Sequence, residues 1–210
     1  MKKHLILLLF LAANLQINAQ IKEIINPLAD STFVKVSDYS SAFVYDLKYA
    51  TTNNFLGEQV YQCGECYLRY KTLQSLLVAQ NKIKAKGYRF KFFDCYRPLA
   101  VQKKMWTLVS DPAYVADPAK GSMHNRGGAV DLTLVDEKGN ELDFGTSFDF
   151  FGEQASHSYT ELPKDVLKNR AYLKKVMTES GFTIFPSEWW HYNIANGEEF
   201  PVADFQWPCN

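Results

Sequence analysis

Three observations predict an α+β fold, with a mostly antiparallel central sheet and flanking helices. Helical and strand periodicities are interleaved without the regular βα alternation that marks a doubly wound sheet. Of 210 residues, 47% are hydrophobic and 15% aromatic, enough to bury a full core and too many for a disordered chain. No internal repeat or low-complexity linker interrupts residues 30 to 208, so one compact domain is expected. The 23 Lys+Arg balance 23 Asp+Glu, which leaves no basic footprint and argues against nucleic acid as a partner.

The first nineteen residues read as a secretory signal peptide. Lys2 and Lys3 precede an apolar run from Leu5 to Ala13, followed by polar residues and a small residue at Ala19. The run is too short to span a bilayer. Cleavage after Ala19 leaves 191 residues with 21 Lys+Arg against 23 Asp+Glu, a mildly acidic soluble chain with no transmembrane segment, expected to be exported to the periplasm. It also removes His4 and leaves His124, His157 and His191.

The domain, residues 20–210, opens without strong signals and then reads in order. Leu73, Leu76, Leu77, Gln80 and Ile83 share a helical face that runs toward Gly87, predicting a helix over 69–86. Arg89 to Cys95 is a Phe-rich strand. Pro98 suits the first turn of a helix that carries Val101, Met105, Leu108 and Val109 on one face. Residues 111–128, rich in Pro, Gly, Ser and Asn, form a loop. In the strand from Ala129 to Val135, Val130, Leu132 and Leu134 face one side, and Asp131 stands on the other. Lys138–Asn140 is a turn, and 146–161 is a polar and aromatic loop. Val166, Leu167, Arg170, Leu173 and Met177 mark a last helix, closed at Gly181. Phe182–Ile184 and Trp190–Ile194 are two closing strands.

All four cysteines, Cys63, Cys66, Cys95 and Cys209, lie beyond the signal segment, and in an exported chain an even count favours disulfides. Three connectivities are open. Cys63 and Cys66 form a C-x-x-C, which in another setting suggests redox chemistry or half a zinc site, but no second C-x-x-C accompanies it.

The scarce histidines carry the chemistry. His124 lies in a loop seven positions before Asp131, across a Gly-Gly turn, and His191 lies three positions after Glu188. Two imidazoles and a carboxylate are the ligand types of a catalytic zinc site, which keeps its fourth position for water. His124, Asp131 and His191 make such a set, for one Zn2+ per chain. Glu188 is then the candidate to accept the proton of the attacking water and pass it to a leaving amine. Residues three apart on a regular strand face opposite sides, so Glu188 must sit on a bulge or loop, and Pro186 and Ser187 make one plausible. In Asp94-Cys95-Tyr96-Arg97-Pro98, the guanidinium of Arg97 at a strand-to-helix junction suits a developing oxyanion. His157 has no partner in these motifs and reads as a surface residue. Trp189, Trp190, Tyr192 and Trp207 read as core or pocket wall.

These motifs, S-x-H-x-x-G-x-A-x-D at 122–131, E-x-W-H at 188–191 and D-x-Y-R-P at 94–98, resemble those of the vancomycin-resistance-type D-alanyl-D-alanine dipeptidases. That family is related to the D,D-carboxypeptidases and shares the hedgehog/DD-peptidase fold. The similarity runs from about Phe43 to Tyr192 and takes in Asp46 to Thr51 and Asn54-Phe55. The resemblance implies zinc-dependent hydrolysis of the small dipeptide D-Ala-D-Ala in peptidoglycan turnover. His124, Asp131 and His191 match the family's ligands, Glu188 its base and Arg97 its transition-state arginine. Ser122 matches a serine that lines the substrate pocket, and Asp149 an acid that holds the substrate's free ammonium. The signal peptide departs from the cytoplasmic resistance enzymes and favours scavenging of wall dipeptide over resistance.

Three other functions compete. A D,D-carboxypeptidase would accept longer wall peptides, which an ammonium anchor should exclude. A non-haem iron oxygenase also uses two His and a carboxylate, but commonly spaces the first pair two residues apart and needs no Glu188. A catalytically silent wall-binding domain would have no use for the complete set of ligands, base and arginine.

Overall fold

The computed structural model describes residues 28–209, so the signal-peptide reading lies outside the described residues. The α+β expectation holds. Three α-helices and seven strands are described. They are β1 (Phe33–Lys35), β2 (Val44–Tyr45), β3 (Tyr67–Arg69), α1 (Tyr70–Lys84), β4 (Arg89–Asp94), α2 (Leu99–Leu108), β5 (Ala129–Val135), α3 (Lys164–Thr178), β6 (Phe182–Phe185) and β7 (Glu188–Ile194). Five strands form a sheet in the order β2-β4-β5-β7-β6, with only β2 and β4 parallel, and β1 pairs with β3 in a separate ribbon. The short strands β1, β2 and β3 are absent from the sequence reading because two or three residues are too few to show a period.

Helices α1 and α3 pack together against the sheet because each has one apolar face. Leu73, Leu76 and Ile83 of α1 and Leu173, Val176 and Met177 of α3 join Val130, Leu132 and Leu134 of β5 in one core. All seven residues of β5 are buried, so the strand has no solvent face, and Asp131 lies on a covered side. A second core gathers Tyr49, Tyr61, Tyr96, Val101, Met105 and Trp207 around α2. The expected apolar face of α2 is only partly right. Leu108 is 45% exposed, Val109 has already left the helix in an extended conformation, and the polar Gln102 is buried instead.

Two disulfides settle the connectivity, Cys63–Cys209 and Cys66–Cys95, and among the described residues no cysteine is free. The C-x-x-C residues bridge to separate partners, so the motif is neither a redox pair nor half a metal site. The loops closed span 146 and 29 residues, worth roughly 5 and 3.5 kcal/mol respectively in chain entropy.

Candidate active site

Two irregularities in the sheet build the site. β4 pairs with β5 through Phe92 and Leu132, then slips by one residue at Phe93 so that Asp94 faces Asp131. A bulge of this kind re-aims a side chain to the other face of a strand. On the far side of β5, Asp131 pairs with His191 of β7, so Asp94, Asp131 and His191 form a row across three central strands. The second slip lies between β6 and β7, where Ile184 pairs with Tyr192 but its neighbour Phe185 pairs with Glu188. Three residues of β7 bulge out between those pairs. That is the irregularity the E-x-W-H spacing requires to bring Glu188 and His191 to one cleft.

His124 arrives from outside the sheet, on a single 3-10 turn that ends at Gly127. Gly127 has φ +70°, and a Cβ there would run into the Phe33 ring, so this glycine is required for the chain to turn into β5. The hydroxyl of Ser122, which lines the cleft, accepts the Asn125 N–H of that turn at 3.3 Å. Asn125 Nδ2 in turn donates to the Arg97 carbonyl at 2.8 Å.

Neighbours set the donor state of both imidazoles. His124 Nδ1 lies 2.7 Å from the Cys95 carbonyl, which can only accept, so Nδ1 carries the proton and the Nε2 lone pair is free. His191 Nε2 donates likewise to Asn193 Oδ1 at 2.8 Å, which frees Nδ1. The two free nitrogens face each other at 3.2 Å. Asp131 reaches the same point, with Oδ2 3.3 Å from His124 Nε2 and Oδ1 2.9 Å from His191 Nδ1. That second approach lacks hydrogen-bonding geometry, and Oδ1 stays buried without a hydrogen-bond partner. One ligand atom from each of the three residues falls within 4.8 Å of the others.

The electrostatics match a cation. Burial alone would raise the Asp131 carboxyl, but the two imidazoles outweigh it and hold the group below the ordinary carboxylate range. Burial would likewise lower His191, yet the Asp131 charge raises it to about 9, so without a metal a proton occupies Nδ1 at neutral pH and a cation there takes that proton's place. Convergent lone pairs, an orphaned buried carboxylate oxygen and a pull on positive charge fit a zinc ion, whose usual ligands are these atom types.

Arg97 is held over the cleft by a saturated anchor. Its Nη2 and Nε donate to Asp94 Oδ2 at 2.7 and 3.2 Å, and Nη1 donates to Gln102 Oε1 at 2.8 Å. Asp94 Oδ1 accepts from the Tyr61 hydroxyl at 2.7 Å and from the Cys95 N–H at 2.9 Å. Of the five guanidinium N–H groups, two remain for the cleft. Burial opposes the charge of Arg97, but Asp94 outweighs it and keeps the group cationic.

The cleft has a volume of about 530 Å³ and is lined by Arg97, Ser122, His124, Asp131, Asp149, Glu188 and His191, all seven of the residues singled out from sequence. Burial raises the Glu188 carboxyl, with the Asp131 charge adding to the effect, and its Oε2 stands 3.8 Å from His191 Nδ1. Asp149 adopts a left-handed backbone at φ +56° and accepts the Tyr49 hydroxyl at 2.9 Å. Burial pushes its carboxyl well up, and the Asp131 charge pushes it further. Tyr49, Tyr61, Gln102, Asn125 and Asn193 were not singled out from the sequence, because their roles rest on tertiary hydrogen bonds. His157 is half-buried rather than a plain surface residue: its ring packs on Tyr192, its Nε2 is buried without a hydrogen-bond partner, and burial lowers its pKa to about 4.

A family model described as D-ala-D-ala dipeptidase, of the M15 peptidases, matches residues 29–207. The D-alanyl-D-alanine dipeptidase of Escherichia coli (strain K12) is 36% identical over 164 residues, covering 78% of this chain and 85% of that one. That of Enterococcus faecium is 30% identical over 188 residues, covering 78% and 91%. A solved vancomycin-resistance D,D-pentapeptidase in complex with Zn(II) is 16% identical, with a TM-score of 0.40 over 63% of this chain and 75% of that one.

Proposed function

This chain belongs to the D-Ala-D-Ala dipeptidase family of M15 peptidases, zinc enzymes that hydrolyse D-Ala-D-Ala, and we propose how its own residues do so. In this reading His124 Nε2, His191 Nδ1 and Asp131 hold the zinc. The observation that carries it is the convergence of those three donors on one point beside an unpartnered Asp131 oxygen. When bound, zinc supplies Lewis acidity toward water and the scissile carbonyl.

The substrate's ammonium would pair with Asp149, whose charge costs least once a cation neutralises it. Arg97, rigid against Asp94 and Gln102, turns its two spare N–H groups to the oxygen on which charge develops. Glu188 takes the proton of the attacking water at a carboxylate oxygen and returns it to the leaving amine. Its raised pKa makes it a stronger base than an exposed glutamate. Ser122 offers its hydroxyl proton to the substrate from the turn that carries His124.

Export to the periplasm is part of the same proposal, with residues 20–210 acting as one catalytic domain. The charged and apolar start of the chain and two disulfides support it.

The test is hydrolysis of D-Ala-D-Ala and of a pentapeptide ending in D-Ala-D-Ala by zinc-loaded protein, alongside Glu188→Gln. Dipeptide cleavage is expected, lost by more than about 10²-fold in the variant. Efficient pentapeptide cleavage would replace the dipeptidase with a D,D-carboxypeptidase, and turnover unchanged in Glu188→Gln would remove the base assignment.

A further inference from the structure

Cys95 occupies the point where β4 leaves the sheet, and all of its functional groups are engaged. Its N–H donates to Asp94 Oδ1 at 2.9 Å, its carbonyl accepts His124 Nδ1 at 2.7 Å, and its Sγ is bonded to Cys66. The first contact belongs to the anchor that aims Arg97, and the second sets the lone pair that His124 offers to the metal. No strand partner holds residues 95–98. Besides the bridge to Cys66, the segment is held by the Tyr96 N–H bond to the Tyr67 carbonyl at 3.0 Å, the Tyr96 hydroxyl bond to the Phe205 carbonyl at 3.1 Å, the Arg97 N–H bond to the His124 carbonyl at 3.1 Å and the Asn125 Nδ2 bond to the Arg97 carbonyl at 2.8 Å; of these only the bridge acts on Cys95 itself. Cys66 is itself fixed, because its carbonyl accepts the Val36 N–H at 2.9 Å and it leads directly into β3. Both cysteines are buried, at 3% and 2% exposure.

We propose that the Cys66–Cys95 disulfide is a positioning element of the active site, which sets zinc affinity and turnover separately from any contribution to global stability. The bridge ties the Cys95 peptide to β3, so the carbonyl that orients His124 and the amide that completes the Asp94 anchor are placed together. Freed of the bridge, the 95–97 segment relaxes, His124 rotates away from the point that His191 and Asp131 share, and Arg97 loses its aim. The other bridge differs. Among the described residues, no hydrogen bond of the site passes through Cys63 or Cys209, and the loop they close is 146 residues long against 29. In chain-entropy terms the longer loop contributes more to stability. The two bridges therefore predict opposite orders for stability and for site function.

The inference rests on His124 serving the metal, and its first readout is zinc affinity, which does not depend on the identity of the substrate. Full-length C66A/C95A and C63A/C209A are compared with the parent by thermal melting, by competition for zinc against a chelator, and by kcat and KM on D-Ala-D-Ala at saturating zinc. Folded C66A/C95A should bind zinc about 10–100-fold more weakly, the range seen when outer partners of metal ligands are lost, with kcat falling at least tenfold and KM moving less than about threefold. C63A/C209A should show the larger fall in Tm and keep zinc affinity and kcat within about twofold of the parent. Parallel losses in both variants, or C66A/C95A within about twofold of the parent, overturn the proposal. If C66A/C95A does not fold, C66V/C95A refills the buried volume and carries the same measurements; failure of both to fold assigns the bridge a global role and overturns the proposal too. Should the parent bind zinc without cleaving the dipeptide, the substrate reading fails while the zinc comparison still decides this one.

Discussion

Asp94 and Asp131 are register partners on adjacent strands, both buried, yet their surroundings are opposite. Asp94 is 0% exposed and accepts four hydrogen bonds, two from Arg97, one from Tyr61 and one from the Cys95 amide. Asp131 is 4% exposed, with only imidazoles beside it and one oxygen that accepts no hydrogen bond. A buried carboxylate with every lone pair used is fixed in place and serves as an anchor. One left short of donors in a converging cluster holds a position for a cation. The same residue type, one strand apart, is thus built for a mechanical part in Asp94 and, in the function proposed above, for a chemical part in Asp131, and the donors within reach make the difference.

The largest effect that separates them should come from Asp131→Ala. Turnover should fall by more than the about 10²–10³-fold that one lost oxyanion donor costs, because a metal ligand disappears. Excess zinc at about 100 times its Kd should stabilise the parent by about 2.7 kcal/mol and leave this variant's melting temperature unmoved. Without zinc, the variant should melt below the parent, since the two imidazoles that hold the Asp131 carboxyl below its ordinary range lose their counter-charge. An equal zinc response in both proteins would remove Asp131 from the site.

Asp94→Asn should invert that pattern. It leaves the buried Arg97 without its counter-charge, so stability should drop by about 3–5 kcal/mol by denaturant titration. Turnover should fall by about 10²–10³-fold through the misaimed guanidinium. The zinc-induced rise in melting temperature should survive, because the Cys95 carbonyl, rather than Asp94, holds His124 Nδ1. Loss of the zinc response here would erase the distinction between anchor and ligand.

The smallest effect tests the rule outside the site. His157 Nε2 is also buried and unpartnered, but no other donor converges on it, so it should cost stability and serve no chemistry. Burial, with Lys174 and Arg170 nearby adding to it, lowers its pKa from 6.5 to about 4. The unfolded chain therefore binds the extra proton first, and stability should decline as pH falls through that window and level off below it. Lys174 and Arg170 stay charged and Tyr192 stays neutral throughout, while Asp149 and Glu188, raised by burial, titrate with the opposite sign alike in parent and variant, so the difference between the parent and His157→Gln isolates this imidazole. The loss should be about 1–2 kcal/mol once its partial exposure is discounted, and absent from His157→Gln, with the dipeptidase rate unchanged at neutral pH.

Much of this was readable beforehand where the signal is local. The 3.6-residue spacing of Leu73, Leu76 and Ile83 and the Gly-closed run up to Met177 located α1 and α3 within a few residues. The tripeptide offset between Glu188 and His191 required an irregularity that β7 supplies. Leu108 misled because an apolar residue at a helix end has no neighbour beyond it to bury against, and His157 misled because its cover, Tyr192, is 35 residues away. Tyr61 and Gln102 had no local signal, since a tyrosine or glutamine looks alike whether it fills a core or aims an arginine.

By itself the sequence determined the fold class, the helices, the presence of an even set of cysteines and five of the residues around the cleft, His124, Asp131, His191, Glu188 and Arg97, because periodicity and motif spacing are local properties of the chain; Ser122 and Asp149 came only from the family resemblance. Only the tertiary structure decided which cysteines pair, which imidazole nitrogen is free and which of two adjacent aspartates is saturated. Those depend on groups brought together from strands and turns tens of residues apart, and a buried polar atom takes its role from the partners that packing leaves within about 3 Å of it.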